Sequence, residues 1–224
     1  MTRVATGLTL AAAMIGMRGM RRMKRCPVSK DLYGECGELT LIAADLAHFK
    51  AIQNLEVRPI LFLDFDRVLN SRSYDNGCDR PERAMPYMAH LIDPKAVQRL
   101  NAIVESTKCA IVVSSSWRHA HPVGDLLRIL RIRGAASWMT LLGATPTGMG
   151  DPPRGLEIQA WLDANPQATG PIAILDDQDD MAHLRDRLVR TGTQKGLTDE
   201  EAAQTVAMLR TPMPGRTNAR KDVR

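Results

Sequence analysis

Three short apolar runs punctuate the chain, and each ends abruptly in polar residues. Ile60-Leu61-Phe62-Leu63 runs into Asp64, Ala110-Ile111-Val112-Val113 into Ser114-Ser115-Ser116, and Ile172-Ala173-Ile174-Leu175 into Asp176-Asp177. Apolar runs without alternation suit strands buried on both faces of a parallel sheet. Helical periods lie between them. Val97, Leu100 and Val104 recur at i, i+3, i+7 before the second run. Leu126, Leu127 and Leu130, followed by Gly134, read as a helix with its C-terminal stop, and Ile158, Trp161 and Leu162 mark a helix before the third run. Thr198-Asp199-Glu200-Glu201 is a capping box, with Ala202, Val206 and Leu209 on the apolar face of the last helix. Strands alternating with helices predict a doubly wound, Rossmann-like α/β fold with a parallel sheet. Residues 71–92 carry no clear period and contain Gly77, Pro81 and Pro86, which predicts a loop or a minimal cap.

Charge divides the chain into three parts. Residues 1–58 hold nine basic and five acidic side chains, residues 212–224 four and one, and the stretch 59–211 between them 17 and 19. The basic excess therefore sits in the ends, which divides the chain into a basic N-terminal extension (1–58), a central α/β domain (59–211) and a basic tail (212–224) expected to be disordered. Basic ends can hold nucleic acid or anionic lipid, or simply be solvated. Val4 to Met17 is uncharged but too short to span a bilayer, and its arginine cluster follows rather than precedes it, unlike a secretory signal. It reads as an amphipathic or poorly ordered extension, or as translation from a start upstream of the true one at Met20 or Met23. Cys26, Cys36, Cys78 and Cys109 form no CxxC pair, which argues against a zinc site. Cys109 lies beside an apolar run and reads as a buried free thiol, and the set fits a reducing, cytoplasmic compartment.

In an open parallel sheet ligands bind outside the carboxyl ends of the strands. Asp64, Asp66, Ser114, Asp176 and Asp177 are expected to converge there. Carboxylates crowded into one cleft repel each other unless a cation sits among them. Oxygen donors without a Cys or His cluster point to Mg²⁺. Each element alone has an ordinary reading: a solvated acidic turn for Asp176–Asp180, a turn or helix N-cap for the serines, packing for Trp117, loop positions for His119 and His121. Their order, each at a strand end or helix start, favours a site.

These residues resemble the motifs of the haloacid dehalogenase (HAD) superfamily. Asp64-Phe65-Asp66-Arg67-Val68 is similar to its first motif, DxDx[TV], Val113-Ser114 to its second, Arg154 before a helix to its third, and Asp176-Asp177-Gln178-Asp179-Asp180 to its fourth. The likeness is nearest to the HAD domains associated with RNA-repair proteins, relatives of polynucleotide phosphatases, through Ser114-Ser115-Ser116-Trp117-Arg118, Thr145-Pro146, Arg154 with Glu157-Ile158 and Trp161-Leu162, and Gly196-Leu197-Thr198. It covers residues 59–211. Arg67 departs from it, because that branch usually carries Gly there.

The resemblance implies a Mg²⁺-dependent phosphomonoester hydrolase acting through an aspartyl-phosphate. Asp64 is then the nucleophile, Asp66 the general acid and base, Ser114 a phosphate ligand and Arg154 a charge-neutralising group. Ser115, Arg118 and Arg67 are candidate substrate-binding residues. Mg²⁺ falls to Asp64, the Asp66 carbonyl and the Asp176, Asp177, Asp180 cluster, with Asp176 ranked ahead of Asp177 because Asp176 and Asp180 have the family's DxxxD spacing. The expected partner is a phosphorylated small molecule or a nucleic-acid end, without stable membrane insertion. The alternative is a non-catalytic phosphate-binding or regulatory module, motivated by Arg67.

Overall fold

The computed structural model describes residues 58–77, 85–148, 150 and 152–213. Readings for the N-terminal extension up to residue 57, for Cys26, Cys36 and Cys78, and for the tail from residue 214 lie outside the described residues. Five parallel strands form one sheet: β1 (Ile60–Leu63), β2 (Ala110–Val113), β3 (Leu141–Ala144), β4 (Ile172–Asp176) and β5 (Leu188–Arg190), in the order β3-β2-β1-β4-β5. The helices are α1 (Arg72–Asp75), α2 (Pro94–Thr107), α3 (Val123–Ile132), α4 (Arg154–Ala164) and α5 (Asp199–Arg210). Three short 3-10 helices cover Pro86–Leu91, Ser116–His119 and Ala182–Arg187. This is the doubly wound, Rossmann-like α/β arrangement that the sequence predicts.

Local chemistry explains the helix ends. Asp93 accepts a hydrogen bond from Lys95 N and is followed by Pro94, so α2 starts there. The Thr198/Glu201 capping box opens α5. Gly134, at φ +98°, takes the chain out of α3 in a conformation that a side chain would resist. The segment 71–92 is less empty than its pattern suggests, since it contains α1 and a 3-10 helix and buries Ala89 and Ile92 in the core.

Alternate strand residues serve opposite faces. Leu61, Leu63, Ile111, Val113, Ala173 and Leu175 pack under the first face with Val97, Leu100 and Val104 of α2, Leu126, Ile129 and Leu130 of α3, and Leu209 of α5. Ile60, Phe62, Ala110, Val112, Ile172 and Ile174 pack on the second face with Ile158, Trp161 and Leu162 of α4 and with Met181 and Leu184. Phe62 meets Trp161 edge to face at 5.5 Å. Each fully buried Val, Leu, Ile, Phe or Met among them contributes about 1.5–3 kcal/mol. Both faces of the three central strands are therefore held strongly, and the carboxyl ends of those strands become fixed points.

Candidate active site

Leu63 is in register with Val113 on one side and Leu175 on the other, and Val113 with Ala144. The next residues, Thr145, Ser114, Asp64 and Asp176, therefore form one rung across β3, β2, β1 and β4. Backbone bonds hold that rung: Thr145 N to Val113 O at 2.9 Å, Ser114 N to Leu63 O at 2.9 Å and Asp64 N to Leu175 O at 3.0 Å. Alternation puts the rung on the face covered by α4. The strand order reverses between β1 and β4, so Asp64 and Asp176 flank the topological switch point, where open α/β sheets bind ligands.

Asp64, Asp176 and Asp177 are all buried, and each offers a carboxylate oxygen within 4.8 Å of the other two. Burial pushes the Asp64 carboxyl up to about 6 even though Arg154 beside it acts in the opposite sense. Burial, helped by repulsion from Asp64, pushes Asp176 up to about 7. Arg154, the first residue of α4, brings Nη1 to 3.8 Å from Asp64 Oδ1 and Nε to 3.9 Å from Asp176 Oδ2. Neither distance is a hydrogen bond, and Arg154 Nη1 and Asp176 Oδ2 are both buried without a hydrogen-bond partner. Such orphaned atoms are costly unless a ligand satisfies them. The three carboxylates could hold a metal ion, and their all-oxygen donors are those of a hard cation.

Arg154 reaches this position because α4 docks closely. A Cβ on Gly155 would run into the Met181 carbonyl, so only glycine lets the first turn approach. Gly155 N donates to Asp180 O at 3.2 Å and Arg154 N to Asp180 Oδ2 at 2.9 Å. Asp180 thus seats the helix that carries Arg154, and neither it nor the Asp66 side chain belongs to the group formed by Asp64, Asp176 and Asp177.

Residues 60–202 match the family described as the HAD domain in Swiss Army Knife RNA repair proteins. The chain belongs to this HAD family. No curated protein and no solved structure matches it. Among the described residues, no helix is long and apolar enough to cross a membrane.

The loop after β1 in this HAD domain carries Asp66. Its Oδ1 accepts from Asn70 Nδ2 at 3.0 Å and its Oδ2 from Trp117 Nε1 at 3.0 Å. Arg67, at φ 57°, sits in the left-handed region that favours glycine. Its amide donates to Asn70 Oδ1 at 2.6 Å and its carbonyl accepts from Thr191 Oγ1 at 2.9 Å. Its guanidinium pairs with Asp75 of α1 at 3.0 Å. Gly196, at φ +64°, lets a second loop pack on this one: a Cβ there would lie 2.9 Å from Val68 O.

The serines divide their work. Ser114 Oγ is buried with no hydrogen-bond partner, Ser115 hydrogen-bonds Asp64 and accepts from Trp117 N at 3.3 Å, and Ser116 Oγ lies 3.5 Å from Asp66 Oδ2. Arg118 does not face open solvent. It forms a buried ion pair with Glu157 of α4 at 2.5 Å and donates to the carbonyls of Ser114 and Ser115 at 3.0 and 2.7 Å. Glu157 Oε1 also accepts from Gly148 N at 3.3 Å, so this pair ties the serine loop, α4 and the segment after β3 together. Thr145, named in the sequence only as part of a motif, joins the rung with its own buried, unpartnered Oγ1. His119 and His121 stay outside the carboxylate group, and Cys109 is a buried free thiol.

Proposed function

We propose that this domain is a Mg²⁺-dependent phosphomonoester hydrolase that works through an aspartyl-phosphate on Asp64. The observation that carries the reading is the pairing of a buried Asp64, close to the Arg154 guanidinium and two further carboxylates, with Asp66 held by two N–H donors just beyond it. Such a cleft has fixed positive charge for a phosphoryl group and a separate acid for its leaving group. Asp64 forms a bond to phosphorus while the bond from phosphorus to the ester oxygen breaks. The carboxylic acid of Asp66 gives its proton to that departing oxygen. The resulting Asp66 carboxylate then takes a proton from the water that attacks phosphorus, and the Asp64–phosphorus bond breaks to release phosphate. Arg154 offsets the charge on the phosphoryl oxygens, and Ser114, whose Oγ has no hydrogen-bond partner, donates to them. Asp64, Asp176 and Asp177 would hold Mg²⁺, which when bound would supply positive charge that lowers the repulsion between a carboxylate nucleophile and an anionic ester. Arg67 and Arg118 are less apt as substrate ligands than the sequence suggests, because each is committed to an acidic partner.

Within this reading the substrate is a nucleic-acid end or a nucleotide phosphate. The family description, which refers to RNA repair, supports that class. So do the basic chain ends, which can hold a phosphate backbone in a salt-dependent way. The test is hydrolysis of 3′- and 5′-phosphorylated oligonucleotides, mononucleotides and sugar phosphates with Mg²⁺ at two salt concentrations. Preference for oligonucleotide ends that weakens with salt supports the assignment. Preference for sugar phosphates contradicts the substrate class, and phosphate binding without any turnover identifies a non-catalytic module.

A further inference from the structure

Trp117 makes a contact that neither a packing nor a stacking role requires. The short helix Ser116–His119 brings its indole beside the β1 loop, and its Nε1 donates to Asp66 Oδ2 at 3.0 Å across 51 residues of sequence. The ring itself packs on Phe65, with centroids 5.4 Å apart, and the His121 ring lies 5.9 Å away. Two rings therefore lie against the indole, and its single polar atom meets the carboxylate. On the other side Asn70 Nδ2 donates to Oδ1 at 3.0 Å, so the two donors fix the plane of the Asp66 carboxyl. The other tryptophans differ: Trp161 packs edge-on to Phe62, and Trp138 is half exposed.

We propose that Trp117 is a positioning residue that aims the Asp66 carboxyl at the leaving group, which lets the domain cleave esters of poorly acidic alcohols. The proposal rests on the phosphatase reading above. Esters with good leaving groups, such as p-nitrophenyl phosphate, need little proton delivery when the ester bond breaks. Alkyl and nucleoside phosphates need it fully. The indole N–H therefore matters in proportion to the basicity of the leaving oxygen. A ring serving as a platform for a base would instead matter only for nucleotide substrates.

The test is Trp117→Phe, which keeps a ring against Phe65 and removes the donor. For glycerol phosphate and a nucleoside 3′-phosphate alike, kcat/KM should fall about 10- to 100-fold, as for loss of one hydrogen bond to a charged group. The phosphorylation step with p-nitrophenyl phosphate should change little. With Asp66→Asn already present, Trp117→Phe should cost nothing further on the alkyl substrates. Equal losses on all substrates, losses that multiply with Asp66→Asn, or losses confined to the nucleotide would each overturn the proposal. A second measurement needs no turnover and no folded Trp117 variant. In the ¹⁵N-labelled protein the Trp117 indole N–H should exchange slowly with solvent, and Asp66→Ala should speed that exchange while leaving the Trp161 indole unchanged. An unaltered Trp117 exchange rate would overturn the contact. Absence of hydrolysis by the wild-type protein would remove the phosphatase reading, while the exchange measurement would still decide whether Trp117 holds Asp66.

Discussion

Asp176→Asn is the sharpest probe of the carboxylate group, because the structure predicts opposite effects with and without metal. Asp176 is fully buried, and desolvation together with Asp64 raises its carboxyl from 3.8 to about 7. A raised carboxyl means that the fold holds the proton more tightly than the unfolded chain does. The stability it contributes is complete below about pH 4 and is lost as pH rises through about 7. A rise of that size corresponds to a loss on the order of 4 kcal/mol by pH 8 in metal-free protein. Asn removes the charge, though its amide still needs burial, at a cost of about 1–3 kcal/mol where a partner is missing. The net expectation in EDTA at pH 8 is that Asp176→Asn is more stable than wild type by about 1–3 kcal/mol, or roughly 2–4 °C in Tm for each kcal/mol. The advantage should shrink at pH 5, where the wild-type carboxyl is protonated. Millimolar Mg²⁺ should then stabilise the wild type and leave the variant unmoved, since only a ligand that binds the folded state raises Tm. Thermal unfolding at both pH values, with EDTA or Mg²⁺, reads all of this. A variant less stable than wild type in EDTA at pH 8, or stabilised equally by Mg²⁺, would refute the reasoning.

Three further outcomes follow from named contacts. Asp66→Asn should slow leaving-group protonation and hydrolysis of the intermediate by roughly 10²–10⁴-fold each, and stopped-flow rates across leaving groups should show the smallest loss of the first step for the most acidic alcohols. Arg67→Gly should be more stable than Arg67→Ala by about 0.5–1 kcal/mol, because both lose the half-exposed Asp75 pair but only Ala keeps the left-handed strain; denaturant midpoints showing Ala equal or better would contradict the backbone argument. Gly155→Ala should destabilise by about 1–3 kcal/mol despite the better helix propensity of Ala, because the Met181 carbonyl occupies the space; it should also lower kcat by displacing Arg154, and a more stable, fully active variant would contradict the close docking of α4.

The parts of this fold that were legible in the sequence are those buried on both sides. β1, β2 and β4 read as apolar runs because neighbours cover both faces, and their polar ends announced Asp64, Ser114 and Asp176. β3 and β5 left no such signal. β3 holds Gly143 and buries only Leu141, while β5 is three residues long and ends in Arg190 at the edge of the sheet. Arg154 was readable from its place before a helical period, but the glycine behind it shows its purpose only once Met181 lies against it. Spacing grouped Asp180 with Asp176, yet the turn between them carries the Asp180 carboxylate to the start of α4. The contacts of Trp117 with Asp66, and of Arg118 with Glu157, join residues 51 and 39 positions apart, and no local pattern encodes such pairs.

The central claim is that Asp64 becomes phosphorylated in a Mg²⁺-dependent turnover. The direct measurement is rapid acid quench of the protein with a phosphorylated oligonucleotide and Mg²⁺, followed by peptide mass spectrometry. The account predicts a phosphoryl adduct on Asp64 that forms with Mg²⁺, is absent in EDTA, and accumulates when Asp66→Asn slows its hydrolysis. Full turnover by a folded Asp64→Asn variant, or an adduct on another residue, would contradict it.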